Sequence, residues 1–376
     1  MKVFGCTWRE GWSQPLPTAL DSPQTLVLAF CAPALFDARG PIDELLKTFP
    51  SSHVLGCSTA GEIAGTELRD NGLACAVVRF EHTGLQRAFS RVEGGDGSFA
   101  AGRAVGEQLA GPDLRGVFVL SDGHAVNGTA LIRGLGSALP EGIIITGGLA
   151  ADGDRFERTW VIGGEELCTG GVVAVGFYGE RIHIGHGSQG GWDIFGPERR
   201  ITRSAGNVLY ELDGRPALEV YKTYLGKLAA GLPATALLFP LAVRLPGEER
   251  STVRTVLGVD EAGSSMTFAG DVPVGGRAQL MKANFDRLVE GASHAALATR
   301  ANTPGDTDVL TVAISCVGRR LVLGERTEEE LEATAENLPP RSHLVGFYSY
   351  GEISPYSDGR CELHNQTMTL TTFSEP

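Results

Sequence analysis

Two short turns carry the residue types best suited to holding a small ligand. Ser58, Thr59 and Glu62 stand in the first, which reads Ser58-Thr59-Ala60-Gly61-Glu62-Ile63. Tyr348, Ser349, Tyr350 and Glu352 stand in the second, which ends Tyr350-Gly351-Glu352-Ile353. Hydroxyls, a carboxylate and backbone N–H groups gathered on a short turn suit an amine or a zwitterion. The same residues also have a structural reading: the glycines permit positive φ, and the glutamates cap neighbouring backbone N–H groups. His364-Asn365-Gln366 adds donors and acceptors at successive positions of a strand, with His364 and Gln366 on one face and Asn365 on the other. Core hydrogen bonding explains that tripeptide equally well.

Other chemistry-bearing combinations are weaker. Cys57 has His53 four residues earlier, but no carboxylate to orient the histidine and no second base. Gly185, Gly187 and Gly190 match a G-x-G-x-x-G spacing after a strand, yet residues 191–197, containing Trp192, Phe195 and Pro197, do not open the helix that a dinucleotide site requires. His183 and His186 are candidate haem ligands or structural hydrogen-bonders. Ser121-Asp122-Gly123-His124 reads as a loop at a strand end.

The two turns belong to longer repeated segments. Residues 52–63 and 342–353 share Ser-His, Gly and Gly-Glu-Ile at a constant offset, and each follows an apolar strand, a short helix and a proline. A related unit lies between them: a strand at 116–120, a helix at 127–139 and a strand from 143. There the loop from Gly147 to Gly153 takes the place of the Gly-Glu-Ile turn, so Gly147, Gly148 and Asp152 join the candidate ligand-binding residues. Further strands are expected at 25–32, at 73–80 and 85–92 as a hairpin, and at 159–162, 171–178 and 181–185 as an antiparallel meander. A helix is expected at 224–230 and the longest helical pattern at 277–300; a polar linker follows at 301–308 and a strand at 361–373. The fold class that follows is mixed α/β (α+β), with duplicated strand-helix-strand units, mixed sheets and two domains. The expected divisions are an N-terminal segment at 1–24, a first domain at 25–221 and a second at 222–376.

Composition excludes several functions. Of 376 residues, 42% are hydrophobic and 20% charged, which supports a packed interior. Glycine is abundant at 51 residues, about twice the usual share of roughly 7%, and it clusters beside apolar runs, where close backbone contacts and tight turns are expected. A net charge of −13, without Lys/Arg clusters among aromatics, argues against nucleic acid. Seven scattered cysteines without a Cys-x-x-Cys spacing argue against a disulfide framework or thiolate zinc site and favour a cytoplasmic protein. The N-terminus has no apolar run of signal-peptide length, and the longest apolar stretch, residues 232–243, is broken by Pro233 and Pro240, so no membrane span is expected.

The segments 56–63, 147–153, 212–217 and 347–353, with Leu363-His364-Asn365-Gln366-Thr367, resemble the FIST family over nearly the whole chain. The resemblance implies N- and C-terminal FIST halves and a bacterial-type intracellular sensory module that binds a small ligand, with amino acids among the candidates. It implies signalling to a kinase or cyclase, here a separate partner, because the sequence ends directly after the second half. Some members are haem-binding nitric oxide sensors that regulate a histidine kinase. The primary expectation is therefore a sensor, not an enzyme and without a cofactor, that binds a small polar metabolite between its two halves, with Glu62 and Glu352 facing one inter-domain cleft. Haem sensing is the alternative, and a hydrolase or transferase the third reading.

Overall fold

The structure, a computed structural model, describes residues 1–93, 97–164, 166–303, 307–356 and 359–376. Its plan is one unit used three times. The first unit comprises β1 (Lys2–Trp8), β2 (Thr25–Cys31), α1 (Gly40–Thr48), β3 (His53–Ser58), the hairpin β4 (Glu62–Ala64) and β5 (Glu67–Arg69), and β6 (Leu73–Arg79). The second comprises β7 (Gly84–Arg91), α2 (Gly97–Leu109), β8 (Leu114–Ser121), α3 (Gly128–Ala138), β9 (Ile144–Leu149), the hairpin β10 (Val161–Ile162) and β11 (Leu167–Cys168), and β12 (Gly171–Tyr178).

The third unit opens with β13 (His183–Gln189) and is then interrupted by an inserted subdomain. This consists of β14 (Trp192–Ile194), β15 (Arg199–Ala205), β16 (Val208–Leu212), β17 (Arg215–Pro216), α4 (Ala217–Leu225), β18 (Leu241–Arg244), β19 (Ser251–Arg254), β20 (Val256–Asp260), β21 (Ser265–Phe268) and β22 (Arg277–Ala283). The unit resumes with α5 (Phe285–Thr299), β23 (Val309–Cys316), α6 (Val317–Leu323), α7 (Thr327–Asn337), β24 (Ser342–Ser349), the hairpin β25 (Gly351–Pro355) and β26 (Cys361–His364), and β27 (Met368–Ser374). The insertion enters and leaves through neighbouring strands, since Trp192 pairs with Ala283. It packs around its own apolar cluster, which includes Leu209, Leu218, Tyr221, Val256 and Phe268.

Within each unit the central strand runs parallel to its successor (β2 with β3, β8 with β9, β23 with β24) and antiparallel to the return strand (β6, β12, β27). The hairpins do not stay at home. β10–β11 completes the sheet of unit one, β25–β26 that of unit two, and β4–β5 that of unit three, giving three six-stranded mixed sheets linked in a ring.

Alternate residues of each central strand face a shared interior. There Phe30 stacks on Phe347 at 4.8 Å and Phe177 on Phe373 at 4.6 Å, while Phe118 meets Phe373 edge-on. Each of these contacts joins two units. The other face of β2, with Val27, Ala29 and Cys31, packs with Ile42 and Leu45 of α1. Burial on both faces is why the strand reads as a continuous apolar run.

The closest backbone contacts occur at one position repeated three times. Gly56, Gly147 and Gly346 stand opposite Ala29, Val119 and Ala313 in the three parallel pairs. A Cβ there would lie 2.3, 1.8 and 1.9 Å from the carbonyl oxygen of that partner, so no other residue fits without moving the strands.

Buried carboxyl groups fasten the start of each return strand. Glu62 accepts from the N–H of Gly72 at 3.3 Å, Asp122 from Gly170 at 3.1 Å and Glu352 from Thr367 at 3.1 Å. In units one and three a hydroxyl three residues before the acid completes the arrangement, Thr59 to Glu62 at 2.6 Å and Ser349 to Glu352 at 2.7 Å. Unit two draws its acid from the loop after β8 instead of from the turn.

Several elements differ from those expected. Segments 73–80 and 85–92 are not a hairpin: β6 pairs with β1 and β2, whereas β7 pairs with β12 in another sheet. The expected meander is distributed over three sheets, as β10, β12 and β13. Residues 277–283 of the long helical pattern form β22, paired with β18, and the helix begins only where the Asn284 side chain accepts from the N–H of Arg287. Tertiary pairing there overrides helical propensity. The helix expected at 224–230 lies earlier, as α4, followed by a short 3-10 segment. The C-terminal strand is two strands in different sheets, separated at residues 365–367, where Gln366 has φ of 64°. Residues 304–306 of the expected linker lie outside the described residues. The division expected at 221/222 falls within α4.

Two outcomes follow. Gly346→Ala should lower the unfolding free energy by about 2–3 kcal/mol, in the range of core overpacking. Gly136→Ala, where a Cβ meets nothing within 4 Å, should not destabilise; chemical denaturation of both variants checks this. Burial pushes the Glu352 carboxyl up to about 8 against the hydrogen bonds from Ser349 and Thr367. Between the unfolded value of about 4.5 and about 8, the folded chain keeps a proton that the unfolded chain has released, so this group's stabilisation is full at acid pH and falls as pH rises through that window. Glu352→Gln should therefore gain on the parent by about 1 kcal/mol per pH unit across the window and no further above it. A difference in stability independent of pH would contradict a neutral buried carboxyl.

Candidate functional site

The turns after β3, β9 and β24 meet where the three units converge. Ala60 donates its N–H to the carbonyl of Tyr348 at 2.8 Å, and Tyr348 donates back to Gly61 at 2.9 Å. Ala151 donates to Ser58 at 3.0 Å and Tyr350 to Leu149 at 3.3 Å, so each turn is hydrogen-bonded to both others. The expected residues Ser58, Thr59, Asp152, Tyr348 and Tyr350 are thereby brought into one neighbourhood, all buried. Most of their polar atoms are already used. The Ser58 hydroxyl accepts from Trp160 N–H at 3.1 Å, the Tyr348 hydroxyl donates to Glu330 at 2.9 Å, and the Tyr350 hydroxyl donates to Asp152 and to Gly153. Burial works to raise the Asp152 pKa, but hydrogen bonds from His124, Tyr350 and the N–H groups of Arg158 and Glu157 outweigh it and hold the carboxyl below the ordinary range. Gly147 and Gly148 are strand positions, and Gly148 stands opposite Glu352 in the β9–β25 pair.

Beside this junction lies a cavity of about 470 Å³ to which all three units contribute. Unit one supplies Pro33, Thr59, Gly61, Glu62, Asp70 and Asn71; unit two supplies Gly153, Asp154 and Arg155; unit three supplies Val317, Arg320 and Leu321. Arg320 forms a two-pronged pair with Asp70, at 2.9 and 2.7 Å, and also donates to the carbonyl of Ala60. Arg155 and Asp154 are exposed at the rim. Burial pushes the Glu62 carboxyl up to about 8, opposed by the hydrogen bonds from Thr59 and Gly72. The lining thus offers two guanidinium groups, two exposed or half-exposed acids, a hydroxyl and backbone amides. Such a mixture complements a molecule carrying both charges.

Glu62 and Glu352 do not share this cavity. Glu62 lines it, whereas Glu352 is fully buried within β25, between Gly148 of β9 and His364 of β26, and is absent from its wall. The repeated Ser/Thr-x-x-Glu hydrogen bond is a feature of the turn in two units, which favours its capping role over a shared ligand cleft. His364 and Asn365 line a different cavity, of about 440 Å³, between β13 and the insertion. The His364 Nε2 lies 2.9 Å from the carbonyl of Ser354, and burial lowers its pKa to about 4. Asn365 accepts from Thr255 N–H at 3.3 Å and donates to Tyr350 at 3.4 Å, tying the insertion to the turn.

His186 also lines that second cavity, with Ser188, Gln189, Ser251, Thr252 and Thr367. These polar walls do not provide the broad apolar slot that a haem macrocycle needs, so this cavity does not fit that group. Residues 183–189 form β13 and the next element is the strand β14, so no helix opens at the glycine-rich spacing. A Cβ at Gly187 would lie 2.1 Å from the Ala295 carbonyl; the glycine lets α5 lie on the strand. Cys57 is fully buried and its pKa is raised by that burial, contrary to what a thiolate nucleophile requires. All seven cysteines are free. Sequence reasoning missed Arg320, Asp70, Asp154 and Arg155. The Arg320–Asp70 pair joins residues 250 positions apart, and no local spacing announces it.

Residues 25–215 match the FIST N domain and residues 217–355 the FIST C domain. An uncharacterized protein of Methanocaldococcus jannaschii is 28% identical over 200 residues, covering 50% of this chain and 37% of the relative, so the chain spans little more than a third of that protein. A crystal structure of cyanuric acid hydrolase from A. caulinodans covers 99% of both chains at 9% identity with a TM-score of 0.38, too weak a likeness to carry a comparison of function. With both domains matched and together spanning most of its length, this chain belongs to the FIST family, whose domains are associated with sensory signal transduction.

Proposed function

We propose that this protein is a sensor for a small zwitterionic metabolite, with an amino acid as the leading class, bound in the cavity beside the three turns. It acts without chemical conversion of the ligand and reports to a separate signalling partner such as a kinase or cyclase. The observation that carries this reading is the cavity lining. Arg155 and Arg320 suit a carboxylate, Asp154 and Asp70 suit an ammonium group, and about 470 Å³ lies within the range of small-ligand pockets. The family's sensory association points the same way.

The lining also suggests how occupancy is transmitted. Arg320 belongs to unit three and Asp70 to unit one, and the guanidinium holds the two together. A ligand carboxylate that draws Arg320 away from Asp70 exchanges an inter-unit contact for a ligand contact. Such a ligand favours whichever arrangement of the units lets both arginines reach it.

A thermal-shift screen of the twenty amino acids tests the reading, since a ligand selective for the folded state raises the melting temperature. At least one should do so. Arg155→Ala should weaken its binding about tenfold or more, the scale of a charge-assisted hydrogen bond, while leaving the melting temperature of the free protein unchanged, because Arg155 is exposed. Absence of any stabilising amino acid, or undiminished binding by that variant, would remove the zwitterion reading.

A further inference from the structure

A further cavity, of about 720 Å³, lies at the seam between unit two and the insertion. α3 and the segment leading into β9 form one wall, the inserted sheet the other, and the β25–β26 hairpin closes one end. Its body is apolar, with Ile132, Leu139, Ile143, Ile145, Leu245 and Pro273 among the lining residues.

One cation is built into this wall. Arg254, at the end of β19, is only 4% exposed. Its Nε donates to the carbonyl of Asp271 at 3.2 Å, and its Nη1 to the carbonyls of Leu363 at 2.8 Å and Val253 at 3.4 Å. These bonds fix the guanidinium plane. Nη2 is ion-paired with the Glu362 carboxylate at 3.7 Å, a separation longer than a hydrogen bond. A carboxylate entering at hydrogen-bond distance would be a closer, charge-assisted acceptor for Nη2 than Glu362 is.

The acids around the cavity are less available. Asp271 accepts from the Asn127 side chain at 3.0 Å and Glu248 pairs with Arg360 at the rim, while Glu141 is exposed, as is Arg133. Arg254 is thus the buried cation at one end of an apolar chamber, with Glu362 as its ion-pair partner.

We propose that this seam is a second ligand site, taking an amphipathic organic acid: a medium-chain or arylalkyl carboxylate whose apolar body fills the chamber and whose carboxylate accepts from Nη2 of Arg254. The site is independent of the zwitterion cavity. Because its walls belong to unit two, unit three and the insertion, an occupant fastens the insertion to the ring.

Calorimetric titration of the full chain with octanoate, against octanol and octylammonium as comparators of equal chain length, tests the proposal. Octanoate should bind at least tenfold more tightly than either comparator. Arg254→Gln should weaken octanoate at least tenfold. Gly136→Trp provides a second test that does not depend on the buried arginine. Gly136 lines the cavity from α3, and a Cβ there meets nothing within 4 Å, so the indole can occupy the chamber without disturbing the helix. That variant should fold normally and lose octanoate binding, whereas Arg155→Ala should bind octanoate like the parent. Equal affinity for octylammonium or octanol, undiminished binding by Gly136→Trp, or no octanoate binding up to its solubility would each overturn the proposal. If Arg254→Gln does not fold, the head-group comparison and Gly136→Trp decide the matter.

Discussion

Everything in this fold depends on how the parallel strands β3, β9 and β24 are covered. Each would otherwise end its sheet with unpaired backbone groups, the situation that invites edge-to-edge association. Each is instead covered by a hairpin from another unit: β10 on β3, β25 on β9 and β4 on β24. To deliver those hairpins, the chain must cross from one sheet to the next. The crossings are the turns at 59–61, 150–152 and 349–350, and hydrogen bonds among them gather all three at one place. The cavity beside them is a by-product of edge protection that the protein lines with charge.

Much of this was legible in the sequence, and the reasons are physical. β2 and β23 declared themselves as mostly apolar runs because both faces are covered, and the strand-helix-strand order recurred because one packing solution is used three times. Gly56 and Gly346 stood out as shared letters of the repeat, but Gly147, expected in a ligand-binding loop, is their equivalent in strand β9, where the partner carbonyl leaves no room for a side chain. The destination of the strands was not legible. β6 and β7 are adjacent in sequence, and an alternating pattern says which face is buried but not which sheet receives the strand. For the same reason the C-terminal segment read as one strand; only the positive φ at Gln366 and the move to another sheet divide it. The functional reading found Thr59 and Glu62, which line the cavity, through a repeated motif. It could not find Arg155 or Arg320, which are ordinary surface-type residues until a distant segment is placed beside them.

The buried acids separate structural from ligand-facing chemistry. Glu62, Asp122 and Glu352 each receive the N–H of the residue just before a return strand, yet only the first of these lines the cavity at the junction. A motif that recurs because it stabilises a turn can acquire a further role in one copy, where neighbouring side chains leave space. The insertion extends the same principle: it enters between β13 and α5 through paired strands and creates, at its seam with unit two, a chamber of a different polarity from the one at the axis.

The ring also bears on how the chain can come apart. A segment limited to residues 25–215 would lack β1, the hairpin that finishes the sheet of unit two, and every partner of the β4–β5 hairpin except itself. One limited to 217–355 would lack β13, β26 and β27. Neither segment encloses a complete sheet, so the two sequence halves are lengths of one closed weave. Opening any one of its three joints leaves a loose hairpin and a bare strand edge together, which ties the loss of each sheet to the loss of its neighbours in one cooperative event.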